Sequence, residues 1–122
     1  MFLLSPQTKV FLAKGSTDMR NSFRGLIVLA EAVLHQDPAS GHLFVFVNKR
    51  RDMLKILHWD GSGWWIWYRQ LERGTFQLPQ LSTTDDDGIE LTPSQLSLIL
   101  DGINLSSVRQ RLRYRQVAGT AR

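Results

Sequence analysis

The stretch from Leu43 to Gly74 constrains the fold most, because three apolar runs follow one another with only short polar breaks. The runs are Leu43–Val47, Met53–Trp59 and Trp64–Leu71. The first break is an Asn followed by three bases and the second is Asp-Gly-Ser-Gly, and both are turn chemistry. Tight turns join antiparallel strands. The stretch therefore predicts an antiparallel meander of three strands, which a fourth strand over Thr75–Leu78 could extend.

One long helix is predicted before the meander. A short first strand at Lys9–Ala13 is followed by Gly-Ser, and Thr17 or Asp18 can then cap a helix by accepting from its free N–H groups. The helix should run to about His35, since Pro38 excludes the helical conformation for the residue before it. Its apolar positions recur at helical spacing, so one broad face should pack on the sheet. That face comprises Phe23, Leu26, Ile27, Leu29, Ala30, Val33 and Leu34.

A second helix is predicted towards the C-terminus. Ile89–Leu91 is a short extended segment, after which Thr92 can cap a helix that has Pro93 at its first position, where the missing N–H costs nothing. Its apolar stripe is Leu96, Ile99, Leu100 and Ile103. The predicted fold is one α+β domain over residues 1–105, with a mostly antiparallel sheet of four to six strands, the long helix and the C-terminal helix. Residues 106–122 are predicted to form a basic, flexible tail, and its conformation stays open because its apolar residues have helical spacing while its arginines alternate as in an extended chain.

Composition excludes several classes of protein. The chain of 122 residues has no cysteine, so it contains no disulfide, no thiol chemistry and no cysteine-ligated zinc. The N-terminus has no basic region before its apolar residues, and the longest apolar run, Leu26–Ala30, is far too short to span a membrane. We therefore expect a soluble, cytoplasmic protein that does not contact a membrane.

Charge is distributed unevenly along the chain. Residues 74–108 contain five acids and no base, which leaves fifteen bases against six acids, a net charge of +9, in the remainder. Such asymmetry favours an anionic partner, and nucleic acid is the commonest one in cytoplasm. An alternative is that the bases are simply solvated and that Asp18 offsets those near the first helix. The candidate nucleic-acid-binding residues are Arg20 and Arg24 at the start of the helix, Lys49, Arg50 and Arg51 in the first turn, and Arg109, Arg111, Arg113 and Arg115 in the tail.

The sequence contains no recognisable catalytic or metal site. Three successive aspartates at 85–87 cannot converge on a metal, since neighbouring side chains of an extended segment point to opposite sides. His35, His42 and His58 fall in different elements and lack the spacing of a zinc protease. Neither a nucleophile elbow nor a phosphate-binding glycine loop is present. We therefore predict that the protein is not an enzyme and needs no metal or cofactor.

The third apolar run carries three of the four tryptophans. On a strand, Trp65 and Trp67 share one face, while Trp64, Ile66 and Tyr68 share the other. Core packing should use at least two of the tryptophans, because aromatic side chains dominate small cores. The aromatic side chains of this run that the core does not use could bind a protein or stack on bases. Trp64, Trp65 and Tyr68 are the candidates for protein interaction, and the excess of apolar surface predicts self-association or a partner.

The same motifs carry a family resemblance. The chain from about Val10 to Ile103 resembles the TnpB accessory proteins of the IS sixty-six group of bacterial insertion sequences, which are unrelated to the RNA-guided nuclease of the same label. His58 and Asn104-Leu105 depart from the family pattern. The matching pieces include Thr17-Asp18-Met19-Arg20, Asp37-Pro38, Ser40-Gly41-His42-Leu43-Phe44-Val45-Phe46, Asn48-Lys49-Arg50-Arg51, Lys55-Ile56-Leu57, Trp59-Asp60, Trp67-Tyr68-Arg69, Leu71-Glu72-Arg73-Gly74, Leu91-Thr92-Pro93 and Gly102-Ile103.

This resemblance implies a protein that assists transposition beside a separately encoded transposase, without catalysis of its own. Two hypotheses stay open. The first is a factor that binds the DNA of the element through the basic turn, helix and tail. The second is a module that docks on the transposase or on another accessory chain, using the tryptophan face and the acidic segment 85–90. Both can hold together, and homo-oligomers are compatible with either.

Overall fold

The computed structural model describes residues 5–79 and 88–102. Within these residues the chain forms one five-stranded sheet with a helix on each face. Neither helix in this part of the chain is long and apolar enough to cross a bilayer. The elements in chain order are β1 (Val10–Ala13), α1 (Phe23–Ala32), β2 (Leu43–Val47), β3 (Met53–Trp59), β4 (Trp64–Gln70), β5 (Gly88–Leu91) and α2 (Pro93–Leu100).

The sheet has the strand order β4-β3-β2-β1-β5. The predicted meander of β2, β3 and β4 is confirmed, with Val45 paired to Ile56 and Ile56 to Trp67. β5 is antiparallel to β1, whereas β1 and β2 are parallel. The parallel pair follows from α1, which carries the chain from the end of β1 back to the start of β2. A mostly antiparallel sheet is therefore confirmed, but the meander covers only three of its five strands.

Side-chain acceptors build the two hairpin turns. Asn48 Oδ1 accepts the backbone N–H groups of Asp52 and Met53 at 3.0 and 3.1 Å, and this closes the turn between β2 and β3. Asp60 Oδ1 accepts those of Ser62 and Gly63, both at 2.8 Å, in the turn between β3 and β4. These contacts are the physical basis of the turn signals in the sequence.

The sheet separates two apolar layers. Alternate residues of each strand point to opposite faces, so β2 supplies Phe44 and Phe46 to the layer under α1 and its other residues to the layer under α2. The α1 layer contains Ala13, Leu26, Ala30, Leu34, Phe44, Phe46 and Leu57. The α2 layer contains Val10, Leu12, Leu43, Val45, Val47, Leu54, Ile56, Phe76, Leu91, Leu96 and Ile99.

The first helix differs from its prediction. It begins at Phe23 and ends at Ala32, so it has ten residues and is not long. Neither Thr17 nor Asp18 caps it: the N-cap is Ser22, whose side chain makes no capping hydrogen bond. Tertiary contacts explain the difference, because the segment before the helix is held against the sheet. Within the predicted apolar face, Phe23 is an exception, since 44% of it is exposed.

The predicted fourth strand over Thr75–Leu78 is wrong, because this segment is irregular. Its backbone nevertheless reaches the turn between β2 and β3, where Phe76 N donates to Arg51 O at 2.7 Å. The Phe76 side chain is fully buried in the α2 layer. The apolar residues of the segment thus serve as an anchor rather than as a strand.

The second helix follows its prediction. Thr92 Oγ1 accepts from Gln95 N at 3.1 Å, and Gln95 Oε1 accepts from Thr92 N at 2.8 Å, which together form a capping box. Pro93 is the first helical residue, and Leu96 and Ile99 are buried. Ile103, the tail and the domain boundary at residue 105 lie outside the described residues, as does the aspartate run at 85–87.

Candidate nucleic-acid interface

Three consecutive bases occupy the turn between β2 and β3. Lys49, Arg50 and Arg51 are all exposed. The backbone of the turn is held by Asn48, and Arg51 has a positive φ of 60°. Asn48 therefore holds the turn together, while the three cationic side chains are exposed to solvent.

Two other segments meet this turn at the same end of the sheet. Thr17 N donates to Val47 O at 2.8 Å, which places the loop after β1 beside the end of β2. Leu71 N donates to Asp52 O at 2.8 Å, which places the loop after β4 beside the start of β3. Exposed bases from all three segments thus gather there. We call this surface the basic end, and it comprises Lys14, Arg20, Lys49, Arg50, Arg51, Arg69 and Arg73.

The opposite end of the sheet differs in its charged residues. β3 ends there at Trp59, and Asp60 follows in the turn to β4. Among the lysines and arginines of residues 5–79 and 88–102, Lys9, just before β1, lies at that end. Charge is therefore segregated along the strand direction, with the cations concentrated where β2 ends and β3 begins.

One arginine of the basic end is already paired. Arg20 Nη2 lies 2.6 Å from Asp18 Oδ2, and Arg20 Nε donates to both carboxylate oxygens at 3.0 and 3.1 Å. Hydrogen bonds from the Arg20 side chain and backbone lower the pKa of Asp18 to about 2. Asp18 thus offsets the charge of Arg20, which was one of the two alternatives left open by the sequence.

Arg24 occupies the first turn of α1, where no acidic residue is present. Its side chain is exposed. A cation at a helix N-terminus opposes the helix dipole, so an anion bound there would be favourable. Arg24 is therefore a candidate for contact with an anion, whereas Arg20 is already paired with Asp18.

A buried lysine positions the loop that carries Arg20. Lys55, on β3, is only 8% exposed, and its Nζ donates to Met19 O and to Asn21 O, both at 2.7 Å. The same Nζ lies 4.9 Å from the centre of the Tyr68 ring, which is within cation–π range. In the sequence, this role is marked only by a single lysine in the middle of an apolar strand. The sequence does not identify its partners, because they lie more than thirty residues away in the chain.

We expect Lys55→Met to lower the free energy of unfolding by about 2–3 kcal/mol, because it removes two charge-assisted hydrogen bonds and leaves two carbonyl groups without this donor. Urea unfolding measures the effect. The matched control is Lys49→Met, the same substitution at an exposed turn position, which should change stability by less than about 0.5 kcal/mol. Equal midpoints for the two variants would contradict this role for Lys55.

The residues predicted for protein interaction divide between the two faces of β4. Trp65 and Tyr68 are 49% and 53% exposed but lie on opposite faces. Trp64 shares the face of Tyr68 and is partly buried against Trp59, with ring centres 4.9 Å apart. Trp65 stacks on Trp67 at 5.6 Å. The structure therefore places Trp64 and Tyr68 on one face of β4, four residues apart, and Trp65 on the other face.

A cleft of about 800 Å³ lies at the end opposite the bases. Its lining includes Trp59, Trp65, Ser5, Thr8 and Ser40. Asp60 accepts a 2.7 Å hydrogen bond from Trp65 Nε1 and further bonds from Ser62 and Gly63 N–H groups, which hold the pKa of its carboxyl well below the usual range. In the part of the chain that the structure describes, no three potential metal ligands come together.

Sequence reasoning missed three members of the basic end, namely Lys14, Arg69 and Arg73. The predicted meander was sufficient to place Arg69 and Arg73, because the third strand of a meander ends at the same end of the sheet as the first turn. Lys14 could not be placed without the parallel pairing of β1 and β2. The four tail arginines at 109–115 lie outside the described residues.

Comparison with known proteins identifies the family of the chain. The family model described as IS66 Orf2 like protein matches residues 8–110. Two uncharacterized proteins of Sinorhizobium fredii are similar: y4jC, 32% identical over 84% of this chain and 86% of its own length, and y4hO, 36% identical over 79% and 81%. No solved structure matches. The chain therefore belongs to the IS66 Orf2-like family, the TnpB accessory proteins of that group of insertion sequences.

Proposed function

We propose that this protein is a non-catalytic accessory factor for transposition that binds nucleic acid through its basic end. Family membership supports the association with transposition. The observation that supports nucleic-acid binding is the convergence of bases from the loops after β1, β2 and β4 on one end of the sheet. DNA of the element is the proposed ligand.

The arrangement suits a phosphate backbone better than a small anion. The bases are exposed and spread over three loops, so they can contact several phosphates in succession rather than enclose one. Each phosphate neutralised by such a base releases condensed counterions, which gives affinity without sequence readout. Lys49, Arg50 and Arg51 stand at the centre of this surface, and Arg24 adds a contact at the start of α1.

The arginines of the tail should add to this contact. If Arg109, Arg111, Arg113 and Arg115 bind duplex phosphates, deletion of residues 106–122 should lower the slope of log affinity against log salt by roughly 3–4, since each neutralised phosphate contributes about 0.9. We expect the domain to survive the deletion, because the five strands and two helices of the described chain all lie before residue 106. Thermal melts of the truncated chain verify this.

A second candidate function is docking on the transposase or another accessory chain. It is favoured by the half-exposed Trp65 and Tyr68, which are the large aromatics that protein interfaces prefer. Substitution of Trp65 or Tyr68 leaves the bases of the basic end in place, so the two functions can be tested separately.

Fluorescence anisotropy of the full-length protein on a labelled element-end duplex and on a random duplex, across a salt series, tests the proposal. We expect binding to both duplexes that weakens steeply with salt, and a preference for the element end would show readout beyond charge. Binding to neither duplex at physiological salt, together with capture of the transposase, would reject nucleic-acid binding and leave the docking function.

A further inference from the structure

Strand β4 lies at one edge of the five-stranded sheet. It has seven residues and contains neither proline nor lysine, two of the usual devices that discourage pairing. Among the described residues, no backbone group pairs with its outer edge. Half-exposed aromatic side chains also stand on both of its faces, Trp65 on one and Tyr68 on the other.

The hydrogen-bond pattern of the β3–β4 hairpin shows which groups are available. Asp60 N donates to Gly63 O at 3.1 Å at one end, and Leu71 N donates to Asp52 O at 2.8 Å at the other. Hydrogen-bonded pairs alternate along an antiparallel ladder, so Trp65, Trp67 and Arg69 direct their backbone groups towards β3. The backbone N–H and C=O groups of Trp64, Ile66, Tyr68 and Gln70 consequently point away from the sheet.

We propose that β4 pairs antiparallel with β4 of a second copy of this chain, in a register centred on Trp67. In this register Trp64 lies opposite Gln70 of the partner subunit, and Ile66 lies opposite Tyr68 of the partner subunit. All four residues have outward backbone groups, so every one of these groups finds a partner. Trp65 and Trp67 fall at the non-hydrogen-bonded positions, as their inward backbone groups require. The two sheets become one sheet of ten strands.

The side chains in this register are complementary. Trp65 faces Arg69 of the partner subunit, which places a guanidinium group beside a half-exposed indole ring. Ile66 faces Tyr68 of the partner subunit on the other side of the sheet, which joins two apolar surfaces. Arg69 is the only charged residue of β4, and the two copies of Arg69 are not opposite each other.

A second copy fits this edge because the strand is complementary to itself. A twofold axis through Trp67 matches each outward residue with another outward residue, which is the requirement for a closed dimer. The other edge strand, β5, has only four residues and carries the exposed carboxylate of Glu90. β5 therefore offers a shorter ladder of backbone hydrogen bonds. Pairing through β4 uses the β4 edge of both copies, so the dimer leaves no free β4 edge. The dimer proposal does not depend on the proposed nucleic-acid function, although Arg69 belongs both to this interface and to the basic end.

Sedimentation of the full-length protein over a concentration series tests the dimer, and a charge exchange tests its register. Trp65→Lys sets a lysine against Arg69 of the partner subunit, and the twofold axis repeats this repulsion. We expect the dissociation constant of the dimer to rise at least about tenfold. Adding Arg69→Glu to Trp65→Lys should restore dimerisation, because opposite charges then face each other at both places.

A second pair of variants tests the backbone ladder. Tyr68→Pro removes an outward N–H group and leaves the ladder to β3 intact, since that N–H does not point towards β3. Tyr68→Thr removes the same ring but keeps the N–H group, so it is the matched control. We expect the proline variant to dissociate at concentrations where the threonine variant remains dimeric. Urea melts of each variant show whether its monomer is folded.

Three results would overturn the proposal. The first is a monomer at every concentration up to the solubility limit. The second is a dimer whose dissociation constant is the same with Trp65→Lys or Tyr68→Pro as in the parent protein. The third is failure of Arg69→Glu to restore association to a folded Trp65→Lys variant, because the register then differs from the one centred on Trp67.

Discussion

Phe46→Ala should lower the free energy of unfolding by about 3–5 kcal/mol, as expected for truncation of a fully buried aromatic side chain. Phe46 has no exposed surface and lies in the α1 layer, which also contains Leu26 and Ala30 of the helix. A domain of this size has a total stability of about 5–15 kcal/mol, so the variant should lose a large part of it. Urea unfolding followed by tryptophan fluorescence measures the change.

Two substitutions calibrate this experiment. Trp67→Ala should cost less than Phe46→Ala, because Trp67 is only partly buried at the edge of the α2 layer. Arg50→Ala should leave the midpoint nearly unchanged, since its side chain is exposed in the turn. A midpoint for Phe46→Ala equal to that of Arg50→Ala would show that the α1 layer does not stabilise the fold.

Replacing Lys49, Arg50 and Arg51 together by alanine should lower the slope of log affinity against log salt by about 2–3, because each lost phosphate contact removes about 0.9. The loss of affinity should be largest at low salt and similar for all duplex sequences, since phosphate contacts carry no base information. Fluorescence anisotropy across a salt series measures both quantities. The turn itself should persist, because Asn48 and Asp52 hold its backbone.

Two controls separate the basic end from net charge alone. Lys9→Ala removes a positive charge at the opposite end of the sheet and should leave the slope unchanged. Asp18→Asn removes the carboxylate that pairs with Arg20, so the slope should become steeper if Arg20 then contacts a phosphate. If Lys9→Ala lowered the slope by as much per lost charge as the turn substitutions do, binding would reflect nonspecific attraction rather than a defined surface.

Local chemistry explains which elements could be predicted from the sequence. The β2–β3–β4 meander depends on two turns whose Asn48 and Asp60 side chains bond neighbouring N–H groups, so its signal lies within a few residues. The same holds for α2, which Thr92, Pro93 and Gln95 begin through contacts three residues apart. The alternation along β4 also assigned Trp65 and Tyr68 to opposite faces correctly.

The candidate surfaces required more than local patterns. The sequence indicated the bases of the first turn and of the helix, but Lys14, Arg69 and Arg73 join them only through the pairing of distant segments. The start of α1 was misplaced because Thr17 and Asp18 have good capping chemistry. In the folded chain Thr17 N instead bonds Val47 O, and Asp18 bonds Arg20.

The sequence by itself thus determined the turns, the three-stranded meander, the cap of α2 and the family, because each depends on residues close together in the chain or on motifs in a set order. Only the tertiary structure decided the parallel pairing of β1 with β2, the true start of α1, the burial of Lys55 and the gathering of bases at one end. The physical reason is that these features arise from contacts between residues 19 to 36 positions apart, and no local propensity encodes which partners will meet.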